Sequence, residues 1–134
     1  MLLKLSARGE YGLMILKYLA KVKPGQYLSL KEIASRQKLP VKYLEQVVKV
    51  LARANLVKAK QGTQGGYKLS IGPKQMNLAL ILDVLEGGIK PAQCHPGCHN
   101  CKRTAACEKK TGWKKIHQAL YKKLNQVSLA DLIK

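Results

Sequence analysis

Acidic residues are scarce in this 134-residue chain, which has 7 Asp and Glu against 25 Lys and Arg and a formal net charge of +18. A cationic surface of this size repels itself unless an anionic partner normally lies against it. Because the cations are spread along the whole chain and not gathered on one amphipathic helix or tail, the pattern disfavours a membrane surface. Nucleic acid is therefore the predicted partner.

Long hydrophobic runs are also lacking. The most apolar window, from Leu13 to Ala20, is short and is interrupted by Lys17, so no transmembrane helix is predicted. Arg8 and Glu10 make the residues before it too polar for a signal peptide, and no small-residue cleavage site is present. We therefore expect a cytoplasmic protein in a reducing compartment.

Catalytic constellations are missing as well. The chain has no paired carboxylates, no nucleophile beside a base and no phosphate-binding loop. It is therefore not expected to be an enzyme or to bind a small-molecule substrate. Its 46% hydrophobic residues are enough for the core of one ordinary domain, or of one domain with an appended dimerisation element.

The hydrophobic pattern predicts a mainly α-helical fold, with three helices in the first half of the chain. The first has Ser6 as its N-cap. The second begins with a capping box, in which the side chains of Ser29 and Glu32 each accept a hydrogen bond from a free backbone N–H. The third has Pro40 at its first position and extends to about Ala54.

The third helix has two contrasting faces. Leu44, Val47, Val48 and Leu51 form an apolar stripe that is expected to pack on the core. The opposite face carries long polar and cationic side chains, which can reach base edges and phosphates of duplex DNA. Its predicted DNA contacts are Lys42, Tyr43, Glu45, Gln46, Lys49 and Arg53.

A small β-hairpin is predicted after Asn55, where the pattern changes to strand, glycine-rich turn and strand. Three helices followed by a hairpin form a winged helix-turn-helix, whose third helix enters the major groove while the hairpin lies over the adjacent backbone or minor groove. The glycines of this turn either allow the backbone conformation of the turn or allow the backbone to approach a phosphate closely. Further predicted DNA contacts are Lys4, Arg8, Gln61, Gly62, Thr63 and Gln64.

The second half of the chain is predicted to hold two more helices around a cysteine-containing loop. One helix starts at Asn77 as N-cap and ends at Gly87. A longer helix, from about Thr111 to Gln126, carries an apolar stripe close to heptad spacing, which suits packing against a second copy. We therefore divide the chain into a winged helix-turn-helix at 1–72 and a cluster-binding loop with dimerisation helices at 73–134. The stripe consists of Trp113, Ile116, Leu120, Leu124 and Val127.

All four cysteines, Cys94, Cys98, Cys101 and Cys107, lie in one short window with the spacing C-x3-C-x2-C-x5-C. Thiolates suit zinc and iron–sulfur clusters. A zinc knuckle usually needs two closely spaced pairs, and only Cys98 and Cys101 form one. Inert buried thiols or a disulfide are disfavoured because the loop has too little apolar sequence to bury them. The spacing thus favours an iron–sulfur cluster over zinc.

Four stretches carry a family resemblance: Leu5-Ser6-Ala7-Arg8-Gly9-Glu10-Tyr11, Tyr43-Leu44-Glu45-Gln46, Gln64-Gly65-Gly66-Tyr67, and Cys107 followed six residues later by Trp113. Together they resemble the IscR/NsrR-type (Rrf-two) regulators over nearly the whole chain. The resemblance implies a homodimeric winged helix-turn-helix regulator, usually a repressor, that binds a palindromic operator in double-stranded DNA. It also implies a cluster bound through three cysteines, with 2Fe–2S favoured and 4Fe–4S the alternative.

The same resemblance implies which residues bind the cluster. Cys94, Cys101 and Cys107 match the three family cysteines, and Cys98 is extra. One member of the family senses the supply of iron–sulfur clusters and has a histidine ligand three residues after its last cysteine. This chain has Lys110 at that position, and a protonated lysine cannot act as a ligand.

The fourth ligand is therefore expected elsewhere. Other members take a carboxylate from the first helix of the partner subunit, and Glu10 stands at the matching position. Cys98 is the alternative ligand. A carboxylate at Glu10 is also explained by its favourable interaction with the helix dipole.

Two other functions fit parts of the pattern. A cluster-free or zinc-bound regulator of the same fold would respond to thiol oxidation or to a protein partner. A small iron–sulfur redox carrier would need no basic recognition face and would not bind duplex DNA.

Overall fold

The structure is a computed structural model that describes residues 5–87 and 109–133. Its mostly helical architecture with one two-stranded antiparallel hairpin confirms the predicted fold class. None of the helices within these ranges has the length and hydrophobicity needed to cross a membrane. In chain order the elements are α1 (Ala7–Lys21), α2 (Leu30–Gln37), α3 (Val41–Arg53), β1 (Val57–Lys60), β2 (Gly66–Leu69), α4 (Leu78–Glu86), α5 (Lys109–Asn125) and α6 (Leu129–Leu132).

Local sequence signals set most helix ends where they were predicted. The Ser6 hydroxyl accepts from the backbone N–H of Gly9 at 3.1 Å and begins α1. The Asn77 side chain accepts from the N–H of Leu80 at 2.8 Å and begins α4. Gly87, in the left-handed region at φ 73°, ends α4. Each cap satisfies backbone groups that the helix itself leaves free.

Two predicted details around α2 are wrong. Ser29 caps the N–H of Glu32 at 3.2 Å, but the Glu32 carboxylate pairs with Arg36 at 2.6 Å and does not return the bond, because an i,i+4 cation competes for it. Pro40 is the N-cap of α3 and not its first helical residue, since its ψ of 130° is extended. The fixed φ of proline suits either position.

The hydrophobic core joins the helices of both halves of the chain. The predicted stripe of α3, Leu44, Val47, Val48 and Leu51, is fully buried. These residues belong to one cluster with side chains from α1, α2, α4 and α6. The core therefore continues across residues 72 and 73, and the division of the chain there stays a prediction. From beyond that point the cluster includes Met76, Ile81, Leu85 and Leu129.

Helices α1 and α4 are in close contact at Gly12, and a methyl group there is expected to destabilise the protein. A Cβ on Gly12 would lie 2.4 Å from Cδ2 of Leu85, whose side chain is fully buried. Overpacking of this kind costs about 1–3 kcal/mol, which exceeds the gain of about 1 kcal/mol from replacing a helical glycine with alanine. Urea unfolding of Gly12→Ala should therefore give a lower midpoint than wild type.

Gly72→Ala is the matched control for this prediction, because a Cβ there meets no heavy atom within 4 Å. Equal midpoints for Gly12→Ala and Gly72→Ala would contradict the close approach of α1 and α4.

Candidate nucleic-acid interface

Helix α3 presents a polar and cationic face to solvent. Lys42, Gln46, Lys49 and Arg53 are exposed, and so is Glu45. The buried stripe on the opposite side fixes the rotation of the helix, so these side chains cannot turn inward. The exposed face therefore has the donors and acceptors that base edges and phosphates require.

Tyr43 differs from the other predicted contacts on α3 because it is half-buried. Its ring packs edge-to-face against Tyr11 of α1, with centroids 5.1 Å apart and an interplanar angle of 85°. Such a contact stabilises the packing of α3 on α1. Tyr43 thus helps to position the exposed face of α3.

The hairpin forms the wing, which we define as residues 57–69. Val57 pairs with Leu69 and Lys60 with Gly66 in the antiparallel register. A third segment joins the sheet at Leu28, which pairs with Tyr67 through N–H···O bonds of 2.9 and 2.8 Å. This pairing fastens the wing to the segment before α2. The predicted contacts at the tip, Gln61, Gly62, Thr63 and Gln64, are all exposed.

The wing glycines have different roles. A Cβ on Gly65 would lie 2.1 Å from the carbonyl oxygen of Lys60, and one on Gly66 would lie 2.4 Å from that of Leu28. Both are therefore required by the folded backbone. Gly62 has a φ of 111° with open space around its Cβ position. Of the three, Gly62 leaves its backbone most accessible to a phosphate.

The N-terminus of α1 and the C-terminus of α4 bind each other. The Glu86 carboxylate accepts from the backbone N–H of Ser6 at 3.0 Å and from its hydroxyl at 2.8 Å. In return Arg8 Nε donates to the carbonyl of Leu85 at 2.8 Å. An anion thus lies at a helix N-terminus and a cation at a C-terminus, as the helix dipoles favour. Arg8, a predicted DNA contact, uses one donor here, and Lys4 lies outside the described residues.

Glu10 is exposed on the outer surface of α1. It borders a shallow groove together with Leu13, Met14 and Lys17. Its carboxylate has no hydrogen bond or ion pair with any residue that the structure describes. The carboxylate that is hydrogen-bonded to Ser6 at the start of α1 is that of Glu86, not that of Glu10.

The predicted cluster ligands Cys94, Cys98, Cys101 and Cys107 lie outside the described residues. Across residues 5–87 and 109–133, no group of three or more His, Cys, Asp or Glu side chains could hold a metal ion. His117 is half-buried, with its ring centroid 4.4 Å from that of Tyr121.

Helix α5 leaves part of its predicted apolar stripe uncovered. Ile116 is 46% exposed, and Leu80 on α4 is 37% exposed. Leu120 and Leu124 are half-buried, and the Tyr121 hydroxyl donates to Asp83 of α4. The helix is therefore attached to α4 along one side and is open along another.

Comparison with known proteins gives matches along almost the full chain. The family Rrf2, described as an iron-dependent transcriptional regulator, matches residues 5–134. Protein rrf2 of Nitratidesulfovibrio vulgaris is 35% identical over 98% of this chain and 88% of its own length. The solved structure of CymR, the global cysteine regulator of B. subtilis, has a TM-score of 0.77 and 36% identity, covering 98% of this chain and 96% of that one.

A second solved structure, T. potens IscR, has a TM-score of 0.72 and 36% identity, covering 98% of this chain and 86% of that one. The family description and the names of these structures are those of regulators and not of enzymes. The matches confirm the winged helix-turn-helix fold, and they confirm that the chain is not an enzyme.

Proposed function

The chain belongs to the Rrf2 family of transcriptional regulators, and from this premise we propose that it is a homodimeric repressor whose affinity for a palindromic operator depends on an iron–sulfur cluster. The main support for DNA binding is the exposed cationic face of α3, which is held in place by a fully buried apolar stripe. Members of this family bind DNA, and the net charge of +18 favours an anionic partner of this kind.

In the proposed complex α3 lies in the major groove and the wing lies over the neighbouring backbone. Lys42 and Gln46 bind base edges, and Glu45 accepts a hydrogen bond from a cytosine amino group. Lys49 and Arg53 bind phosphates, which fix the register of the helix but carry no sequence information. The exposed wing tip at residues 61–64 adds backbone contacts.

The homodimer is supported by the exposed part of the apolar stripe on α5. Ile116 is nearly half exposed in a single chain, and a second copy of α5 would cover it. Twofold symmetry would place two α3 helices in successive major grooves, roughly 34 Å apart. A symmetric protein of this kind needs a palindromic site.

The cluster is proposed on the chemistry of its donors. Cys94, Cys101 and Cys107 supply thiolates, and Glu10 of the partner subunit, or alternatively Cys98, supplies the fourth ligand. A set of three thiolates and one carboxylate oxygen binds iron–sulfur clusters better than it binds hard cations. A 2Fe–2S cluster is favoured over 4Fe–4S, and both over zinc. When bound, the cluster would supply redox-sensitive chemistry at the residues that hold it.

Contacts at the start of the loop support a route from cluster to DNA. Helix α4 ends at Glu86, just before the cysteine-containing segment, and Glu86 holds Ser6 at the start of α1. The α1 helix in turn packs on α3 through Tyr11 and Tyr43. A change in the loop would therefore alter the position of α3 and the spacing of the two recognition helices, and so the affinity for DNA.

DNA binding tests the proposal directly. Affinity for a palindromic duplex should fall steeply with salt, since each phosphate contact adds about 0.9 to the slope of log K against log salt. Gln46→Ala should lose about 5–150-fold in discrimination between operator and mismatched duplex, because a good base contact contributes about 1–3 kcal/mol. Arg53→Ala should weaken binding to all duplexes alike. Fluorescence anisotropy titrations at several salt concentrations measure both effects.

A flat salt dependence, or no duplex binding with the cluster present or absent, would contradict the regulator function. Lys122→Ala is the control for lost charge, because Lys122 is exposed on α5, away from α3 and the wing. It should leave discrimination between duplexes unchanged.

A further inference from the structure

A second cationic surface lies on the sheet, apart from α3. Lys58 pairs directly with Lys68 in the antiparallel register, so their side chains share one face of the sheet. Lys60 follows two residues along β1 and therefore lies on the same face. Tyr27 precedes Leu28, the residue that pairs with β2, and completes this face beside Lys68. We call Tyr27, Lys58, Lys60 and Lys68 the basic sheet face.

Two of the lysines on this face lie where their charges destabilise the folded sheet. Like charges directly across a pair of strands destabilise a sheet, and Lys58 and Lys68 are in that position. The ammonium groups of Lys60 and Lys68 lie 5.5 and 5.0 Å from the centroid of the Tyr27 ring. The ring attracts each cation but leaves their mutual repulsion in place.

No described carboxylate neutralises these lysines. Glu32 borders the adjoining groove, but its carboxylate is bonded to Arg36 at 2.6 Å. It is the one acidic residue among those that line the described groove. The basic sheet face thus has an excess of positive charge, which an external anion would offset.

The groove leads from this face to the wing tip. It is lined by Tyr27 and Lys60, which belong to this face, and by Thr63 and Gln64, which belong to the wing tip. A duplex held under the wing tip would therefore pass its backbone along the same groove. The lining is polar, with hydroxyl, amide and ammonium donors, which suits phosphate oxygens and not an apolar partner.

We propose that the basic sheet face is a second phosphate-binding surface, which holds the DNA backbone flanking the base pairs read by α3. Tyr27 orients the ammonium groups of Lys60 and Lys68 toward consecutive phosphates. The proposal rests on the DNA-binding function above and adds to it a sequence-independent contact outside the recognition helix. It predicts that the protein occupies more base pairs than the two recognition helices read.

The test compares Lys60→Gln/Lys68→Gln with wild type on a long duplex and on one trimmed at its flanks. On the long duplex the double variant should lower the slope of log K against log salt by roughly 3.6, the value for four lost phosphate contacts, two in each protomer of the dimer. On the trimmed duplex the two proteins should bind alike. Neutral methylphosphonate linkages in the flanks should lower wild-type affinity and leave that of the double variant unchanged.

Lys74→Gln/Lys122→Gln is the charge-matched control, because both lysines are exposed and neither lines the groove. It should keep the wild-type slope. The double variant should unfold close to the wild-type temperature, because Lys68→Gln removes the repulsion from Lys58, which offsets the lost attraction of the Tyr27 ring.

The outcomes separate this proposal from the function on which it rests. If wild type binds duplex steeply with salt and the double variant has the same slope on the long duplex, the basic sheet face does not bind DNA. An acidic protein surface would then be the partner to seek. If wild type does not bind duplex at all, the DNA-binding function itself fails.

Discussion

Replacing Cys94, Cys101 or Cys107 with alanine is expected to abolish the visible absorption of anaerobically prepared protein, whereas Cys98→Ala is expected to keep most of it. Each of the three thiolates is a proposed cluster ligand, and a methyl group has no lone pair to replace it. With three protein thiolates, a cluster that loses one has too few strong ligands to persist. Absorption spectra with iron and sulfide assays on all four variants measure the effect.

Cluster loss has to be separated from unfolding in these variants. Each variant should unfold cooperatively and keep sequence-independent binding to duplex DNA, because α3 is held in place by its own fully buried stripe. A colourless Cys98→Ala beside a coloured Cys94→Ala would contradict the ligand assignment. Wild-type protein that holds zinc without sulfide would instead favour the zinc-bound regulator, and wild-type protein with no metal would favour a thiol-oxidation switch.

The parts of the fold that could be predicted are those specified by residues close together in the chain. Ser6, Asn77 and Gly87 set helix ends because caps act on backbone groups within one turn. The stripe of α3 is buried as expected because helical periodicity places those residues on one side. The exposed cationic face follows from the same periodicity.

The contacts that sequence reasoning missed join distant residues. Glu86 reaches Ser6 across 80 positions, and no local pattern announces that bond. The pairing of Leu28 with Tyr67 likewise depends on how α2 packs against the wing. It is this pairing that brings Tyr27 beside Lys68. Within α2, the competing pair of Glu32 and Arg36 was visible in the sequence as an i,i+4 spacing.

The Glu86 bond also bears on the role of Glu10. Sequence alone leaves two explanations for a carboxylate at that position, a helix-dipole interaction and a cluster ligand. At the start of α1 the Ser6 hydroxyl caps Gly9, and the Glu86 carboxylate accepts from Ser6. Glu10 is therefore the second carboxylate at this helix end, exposed and unbonded among the described residues. Such a group is available to a partner subunit, which supports the ligand role.

Glu10→Gln is expected to alter the cluster spectrum, to make the cluster labile and to remove the dependence of DNA affinity on cluster state, because a neutral amide binds iron much less well than a carboxylate. Glu32→Gln is the control for the spectrum, since Glu32 also lies in the first turn of its helix but its carboxylate is bonded to Arg36. A dipole role alone predicts that Glu10→Gln loses about 0.3–1 kcal/mol of stability and that both variants keep the wild-type spectrum. Anaerobic spectra and gel shifts, with and without cluster, distinguish the two roles. Unchanged results for Glu10→Gln would leave Cys98 or a solvent molecule as the fourth ligand.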